Sequence, residues 1–221
     1  ASISHEYMVC YAKSRELLDE AKVEWRQRKR GLDDIYAEYE KLKKKFGNDY
    51  EGMTKALKGW YKNLPDAHPA KAHKHYCVVD ERGIYFPDNI SAQSGKTREP
   101  YDVMHPVTNK PCKMPGRGWP SYDTMQELLR NGMVEFGDDE TKVPCLKSYL
   151  KDREYSAPYS VFYQDGRAAT KRLKAILGKD SFGFPKDEEV IAETVKSMSS
   201  CDDLFIDYFA GSGTTAHAVL S

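Results

Sequence analysis

The chain has 221 residues, 40% of them apolar and 12% aromatic, and its 34 basic residues balance 34 acidic ones to a formal net charge of +0. That length holds one large domain or two small ones with a sizeable core, and the even charge excludes a whole-chain basic signature for nucleic acid while leaving room for a local basic surface. No run of about 18 apolar residues suggests a transmembrane helix, no basic-then-apolar start suggests a signal peptide, and five scattered cysteines (Cys10, Cys77, Cys112, Cys145, Cys201) without a C-x-x-C pair indicate reduced, cytoplasmic usage.

In chain order, "EYMVCYAK" opens as an aromatic and β-branched strand, and both ends of the chain read as cuts through a larger protein. Ser14 is an N-cap for a helix that carries Leu17, Leu18, Ala21 and Trp25 on one face and ends near Gly31. Leu32, Ile35, Tyr39, Leu42 and Phe46 recur at spacings of three and four, and after the Gly47-Asn48-Asp49 break so do Tyr50, Met53, Leu57, Trp60 and Leu64. Two amphipathic helices in an antiparallel hairpin follow from that spacing. The hairpin is either an insertion packed on its host with its charges solvated, or a dimer interface or phosphate-tracking arm.

From Pro65 the character changes. "HYCVVDERGIYFPDN" predicts two short strands around a Glu-Arg-Gly turn, and from Ser91 a locally basic, irregular stretch takes over. Asp123 with Gln126 makes a capping-box-like start for a helix bearing Met125, Leu128 and Leu129 and closed by Gly132, and "MVEF" reads as a strand. A helix over residues 167–177 follows, Pro185 breaks the chain, and Val190, Ile191, Thr194, Val195 and Met198 form a helical stripe.

The closing "LFIDYFAGSGTTAHAVLS" predicts a buried strand over residues 204–209, a tight turn at Gly211, Ser212 and Gly213, and a helix from Thr214. The glycines let the backbone turn sharply and approach a ligand closely. Gly211-x-Gly213-x-x-Ala216 also fits the dinucleotide fingerprint, whose ribose-reading acid about 20 residues on would fall past Ser221. A phosphate P-loop is disfavoured because no Lys precedes the Thr pair.

The fuller string is more specific. Asp207-Tyr208-Phe209-Ala210-Gly211-Ser212-Gly213-Thr214-Thr215 resembles motif I of the β-class DNA amino-methyltransferases, whose F-x-G-x-G loop binds S-adenosyl-L-methionine (AdoMet). Phe184-Pro185-Lys186 resembles motif X of that group, although Asp187 stands where a second Pro is usual. The β-class order of catalytic half, recognition domain, then motifs X and I would explain a cofactor loop at the end of this stretch. "HEYMVCYAKS", "YCVVDERGIYF", "GRGWPSYDTMQELLRNGMVEFG" and "VPCLKSYL" are similar to the catalytic-half strand and recognition region of modification subunits of type III restriction systems, which methylate adenine N6.

The resemblance implies an α/β fold, part of a Rossmann-like AdoMet methyltransferase, with an inserted α+β target-recognition domain and a helical hairpin. Its divisions would be 1–13 for the end of the catalytic half, 14–64 for the helical insertion, 65–178 for target recognition and 179–221 for motifs X and I. The implied cofactor residues are Asp207, Phe209, Gly211, Ser212, Gly213 and Thr214, with Phe184, Pro185 and Lys186 closing the site. Implied partners are double-stranded DNA, the remainder of the methyltransferase, a second modification subunit and a restriction subunit.

The D/N/S-P-P-Y/F/W loop that positions a flipped base in such enzymes is absent from these residues. Ser156-Ala157-Pro158-Tyr159 lacks its first Pro, so no catalytic residue is assigned and the chain alone is expected to be inactive. His68, His73, His75 and Cys77 match no standard zinc spacing and are flanked by Lys71 and Lys74, so no metal is assigned. Lys96, Arg98, Lys110, Lys113 and Arg117, interleaved with Tyr101, His105 and Trp119, form the expected DNA surface. The rival readings are an N4-cytosine methyltransferase, a non-catalytic DNA-binding module and a nicotinamide-binding protein.

Overall fold

The computed structural model describes residues 5–91, 101–163, 165, 167–178, 182–200 and 202–220. Its helices are α1 (Arg15–Glu20), α2 (Leu32–Phe46), α3 (Tyr50–Asn63), α4 (Tyr122–Arg130), α5 (Ala168–Leu177), α6 (Glu188–Met198) and α7 (Thr214–Leu220). The principal strands are β1 (Val78–Asp80), β2 (Gly83–Asn89), β3 (Val134–Glu135) and β4 (Cys145–Tyr149). The chain divides into Arg28–Glu154 and a second unit made of Ala1–Gln27 with Tyr155–Ser221.

Within Arg28–Glu154 the expected hairpin forms. The break between α2 and α3 is made by Gly47, at φ +60°, and by the Asp49 side chain, which caps α3 by accepting from the Gly52 N–H at 2.9 Å. Of the predicted stripe, Leu32, Ile35, Leu42, Met53 and Leu57 are buried and Tyr39, Phe46, Tyr50, Trp60 and Leu64 partly so; Tyr61, not named by the spacing, is buried beside Trp60, and all pack with Tyr76, Val79, Ile84 and Leu150 in one core. Helix hairpin and sheet therefore share an interior.

The sheet is antiparallel in the order β1-β2-β4-β3. Its register sets Tyr85 opposite Tyr149, Pro87 opposite Lys147, and Glu135 opposite Cys145. On that face the buried Asp80 carboxylate accepts from Tyr149 Oη at 2.7 Å, Lys147 Nζ at 2.9 Å and the Arg82 N–H at 3.0 Å. Burial pushes the Asp80 carboxyl up, but Lys147, Tyr149 and the Arg82 N–H outweigh it and hold it below its ordinary range.

Residues 101–120 of the stretch expected to be irregular carry no helix or strand, and they pack into a second core of Ile90, Val103, Cys112, Trp119, Met125 and Val134. His105, only 2% exposed, pins it: Nδ1 accepts from the Val107 and Thr108 N–H groups, and Nε2 faces the Gly137 carbonyl at 3.1 Å. Helix α4 starts ahead of its expected capping box, with Ser121 as N-cap accepting from the Thr124 N–H.

In the second unit, α1 keeps its Ser14 cap but stops at Glu20, and Lys22 adopts φ +51°. The longer helix expected there needed an apolar face buried against something, and Leu17 and Trp25 remain 65% and 41% exposed. The two terminal strands are corrected on similar grounds. Residues 5–12 and 203–207 carry no regular secondary structure, and Tyr7, Tyr11, Leu204 and Ile206 are largely exposed. A strand is stable where neighbours take its N–H and C=O groups, and no described strand pairs with either segment.

Leu57→Ala should cost about 2–5 kcal/mol and lower amide hydrogen-exchange protection in β2 and β4 together with α3. Loss confined to the hairpin would show that hairpin and sheet fold separately.

Candidate cofactor loop and nucleic-acid surface

The glycine loop lies in the unit that contains α5, α6 and α7. Asp207 folds it back, its Oδ1 accepting from the Phe209 N–H at 3.0 Å. The Gly213 N–H then closes a tight turn on the Ala210 carbonyl at 2.7 Å, with Gly211 at φ +54° and Gly213 at φ +76°. Only glycine adopts such angles freely. A Cβ on Gly211 would also lie 3.4 Å from the Phe182 ring, whereas one on Gly213 would meet no described atom within 4 Å. The loop's backbone is thus open to a ligand on the Gly213 side.

The glycine loop meets the segment at Lys186. Ser212 Oγ and Thr214 Oγ1 are 2.8 Å apart, and Thr214 Oγ1 donates to the Lys186 carbonyl at 3.4 Å. Pro185, Lys186, Glu188, Ser212, Thr214 and His217 line one shallow depression. Phe184 and Phe209 are 91% and 93% exposed, so each presents an aromatic face rather than filling a core.

Asp187, the departure from the family pattern, has an identified job. It caps α6 by accepting from the Glu189 and Val190 N–H groups, and its other oxygen accepts from Arg172 Nη2 at 2.8 Å. Arg172 also pairs with Glu188 through Nε and Nη2. Hydrogen bonding from Arg172 outweighs burial and holds the Glu188 carboxyl below its usual range. This clamp between α5 and α6 fixes the chain direction just after Lys186. Sequence reasoning misses Arg172, because its partners lie 15 and 16 residues away and no local pattern links them.

The expected DNA surface is partly redrawn in Arg28–Glu154. Lys96 and Arg98 lie outside the described residues. Trp119 is 2% exposed and belongs to the second core, so its indole is unavailable for stacking on a base, and His105 is likewise interior. Burial of these side chains outcompetes the loop reading because the stretch folds back on itself through Cys112 N–H to Val103 carbonyl at 2.7 Å and Lys113 N–H to Glu140 carbonyl at 2.8 Å. Lys110 is exposed but pairs with Glu140 at 3.1 Å. Lys113 and Arg117 are exposed, and among the described residues neither forms an ion pair.

The sequence model of a family described as DNA methylase matches residues 1–221. The chain belongs to the DNA methylase family. It is 32% identical over 226 residues to the Mod subunit of the type III restriction-modification enzyme EcoP15I of Escherichia coli, covering 100% of this chain and 34% of that protein. It is 26% identical over 230 residues to the EcoPI Mod subunit of Escherichia phage P1, covering 99% of this chain and 32% of that one. The type II methyltransferase M.KpnI of Klebsiella pneumoniae is 42% identical over 149 residues, which is 63% of this chain and 34% of M.KpnI. This DNA methylase chain thus spans about a third of the length of these relatives, and its likeness to type III modification subunits runs along its whole length. Among its described residues no helix is long and apolar enough to cross a membrane.

Arg172→Gln tests the clamp. Glu188 has a lowered folded-state pKa, so its contribution is present above the unfolded value of about 4.5 and is lost as pH falls through the folded value. The variant should be less stable by about 1 kcal/mol at neutral pH, and urea midpoints of variant and parent should converge as the medium is acidified from about pH 6 toward about pH 3. A gap that persists in acid would mean Arg172 acts through packing alone.

Proposed function

We propose that this chain supplies the target-recognition region and the AdoMet loop of a DNA adenine-N6 methyltransferase of the type III modification kind. The observation that carries the reading is the meeting of the Phe184, Pro185 and Lys186 segment with the Ser212 and Thr214 loop, two sequence motifs 28 residues apart joined through the Lys186 carbonyl. Asp207, Phe209, Gly211, Ser212, Gly213 and Thr214 would hold the cofactor, with Phe184, Pro185 and Lys186 at its methionine end. AdoMet, when bound, supplies an electrophilic methyl group for the amino nitrogen of a base.

The chain's own residues would bind and orient. Phe209 and Phe184 offer apolar faces to the adenine and the methionine stem, and Gly213 keeps side-chain bulk away from the ligand. Asp207 has one carboxylate oxygen engaged by the Phe209 N–H, leaving the other able to accept from a ribose hydroxyl. Lys113 and Arg117 would neutralise phosphates beside the target site. The amino nitrogen of a flipped base must be gripped by a D/N/S-P-P-Y/F/W loop, and these 221 residues hold none. The remaining part of the enzyme, a second modification subunit and a restriction subunit complete the proposed assembly.

With methyl-tritiated AdoMet and duplex DNA, this chain alone should transfer no label. Co-expression with a polypeptide carrying the catalytic loop should restore transfer, and nucleoside mass spectrometry should find N6-methyladenine. N4-methylcytosine as the product would overturn the adenine assignment, and label transferred by the chain alone would overturn the division of labour.

On a mixed-sequence duplex, Lys113→Ala/Arg117→Ala should reduce the slope of log affinity against log salt by about 2, at roughly 0.9 for each phosphate that is no longer neutralised. An unchanged slope would remove these two residues from the DNA surface.

A further inference from the structure

We infer that Lys29, His75 and Arg153, gathered around the bond between His73 and the Arg30 carbonyl, form a second phosphate-binding surface for a DNA backbone, separate from the loop carrying Lys113 and Arg117. The inference rests on the reading of the chain as the DNA-recognising part of a methyltransferase.

Three chain segments are forced together at this point. Gly31, at φ +81°, lies so close to the 3-10 turn Pro69–His73 that a Cβ there would sit 2.3 Å from Ala70 N and 2.6 Å from the Pro69 carbonyl carbon. That approach sets the Arg30 carbonyl 3.1 Å from His73 Nε2. On the other side the Lys29 N–H donates to the Glu154 carbonyl at 2.9 Å, which draws Lys29 to the Arg153 end of the unit. His75 is held by neighbouring rings, tilted against Tyr76 at 4.4 Å and edge-on to Phe86 at 5.0 Å. Lys29 Nζ lies over the Tyr76 ring, 5.9 Å from its centroid.

The backbone thus holds like charges close together. Burial and then Arg153 push the Lys29 ammonium below its ordinary range, and burial, with Lys29 adding to it against the Arg30 carbonyl, pushes His73 down. Burial, His73 and Lys29 do the same to His75, opposed by Asp88. Asp88 opposes the crowding at His75. Glu154, the acid nearest in sequence to Arg153 on its C-terminal side, is engaged by Arg28 at 2.9 Å and Tyr36 at 2.7 Å, and among the described residues neither Lys29 nor Arg153 forms an ion pair. Lys29 and Arg153, cations drawn together by the Lys29 N–H bond to the Glu154 carbonyl, with the exposed His75 ring beside them, match the oxygens of a phosphodiester chain. Arg30, His75 and Arg153 are exposed, so the surface is open to a long polyanion lying across it.

The test is duplex binding by fluorescence anisotropy over a range of salt, with parent chain, Lys29→Gln/Arg153→Gln, the single Arg153→Glu and Lys113→Ala/Arg117→Ala, each checked for fold by circular dichroism. The double glutamine variant should lower the slope of log affinity against log salt by about 2, and Arg153→Glu, an exposed change that spares the packing of Lys29 on Tyr76, should weaken binding at low salt by more than about tenfold. A folded Lys29→Gln/Arg153→Gln variant with the parental slope would overturn this surface while leaving the DNA reading intact if the Lys113 and Arg117 change still lowers the slope. A folded parent chain that does not bind duplex at low salt would overturn both.

Discussion

The apolar packing between the α2–α3 hairpin and the first two strands is the constraint on which Arg28–Glu154 depends. Leu32, Ile35 and Leu57 are fully buried by it, and burying such side chains contributes about 1.5–3 kcal/mol each. Helices of 15 and 14 residues rich in Lys and Glu are marginal alone, so sheet and hairpin hold each other. The ends of the unit are closed by the same packing: Arg28 bridges Asp33 and Glu154, and Glu154 reaches Tyr36 on α2. Gly31 belongs to this constraint, because only a residue without a Cβ lets the start of α2 lie against the turn at Ala70.

A polar device complements the apolar one. Asp80 would cost several kcal/mol if buried alone, and it is tolerated because Lys147, Tyr149 and the Arg82 N–H satisfy it together. Since Asp80 is on β1 and its side-chain partners are on β4, the group ties together strands that are not adjacent in the sheet. That fixes register, because a slip of one residue would turn Lys147 and Tyr149 to the other face. The loops that follow β2 and precede β3 are then displayed from a rigid base.

Much of this is legible in the sequence, for reasons that can be traced. Spacings of three and four mark α2 and α3 nearly to the residue, because their buried stripe is continuous and their turn has both a glycine and a capping Asp. The Glu-Arg-Gly turn marks β1 and β2. The motif string at residues 207–215 points to the DNA methylase family, which the match over residues 1–221 shows. Other features depend on neighbours distant in sequence. Trp119 and His105 sit among Gly, Pro and Lys and read as loop, yet they are buried at a second core that includes Met125 on α4 and Val134 on β3. Arg172 and the approach of Lys29 to Arg153 have no local pattern at all. The length of α1 is not legible, because its spacing is helical but its apolar face is exposed.

Central to the whole reading is that the glycine turn and the segment around Lys186 form one cofactor site. Amide chemical-shift mapping with S-adenosylhomocysteine, the unreactive demethylated cofactor, tests this most directly. The predicted result is saturable perturbation of Lys186, Asp207, Phe209, Gly211, Gly213 and Thr214, with amides of β1 to β4 unmoved. Perturbation centred elsewhere, or none at saturating ligand in a folded chain, would contradict it.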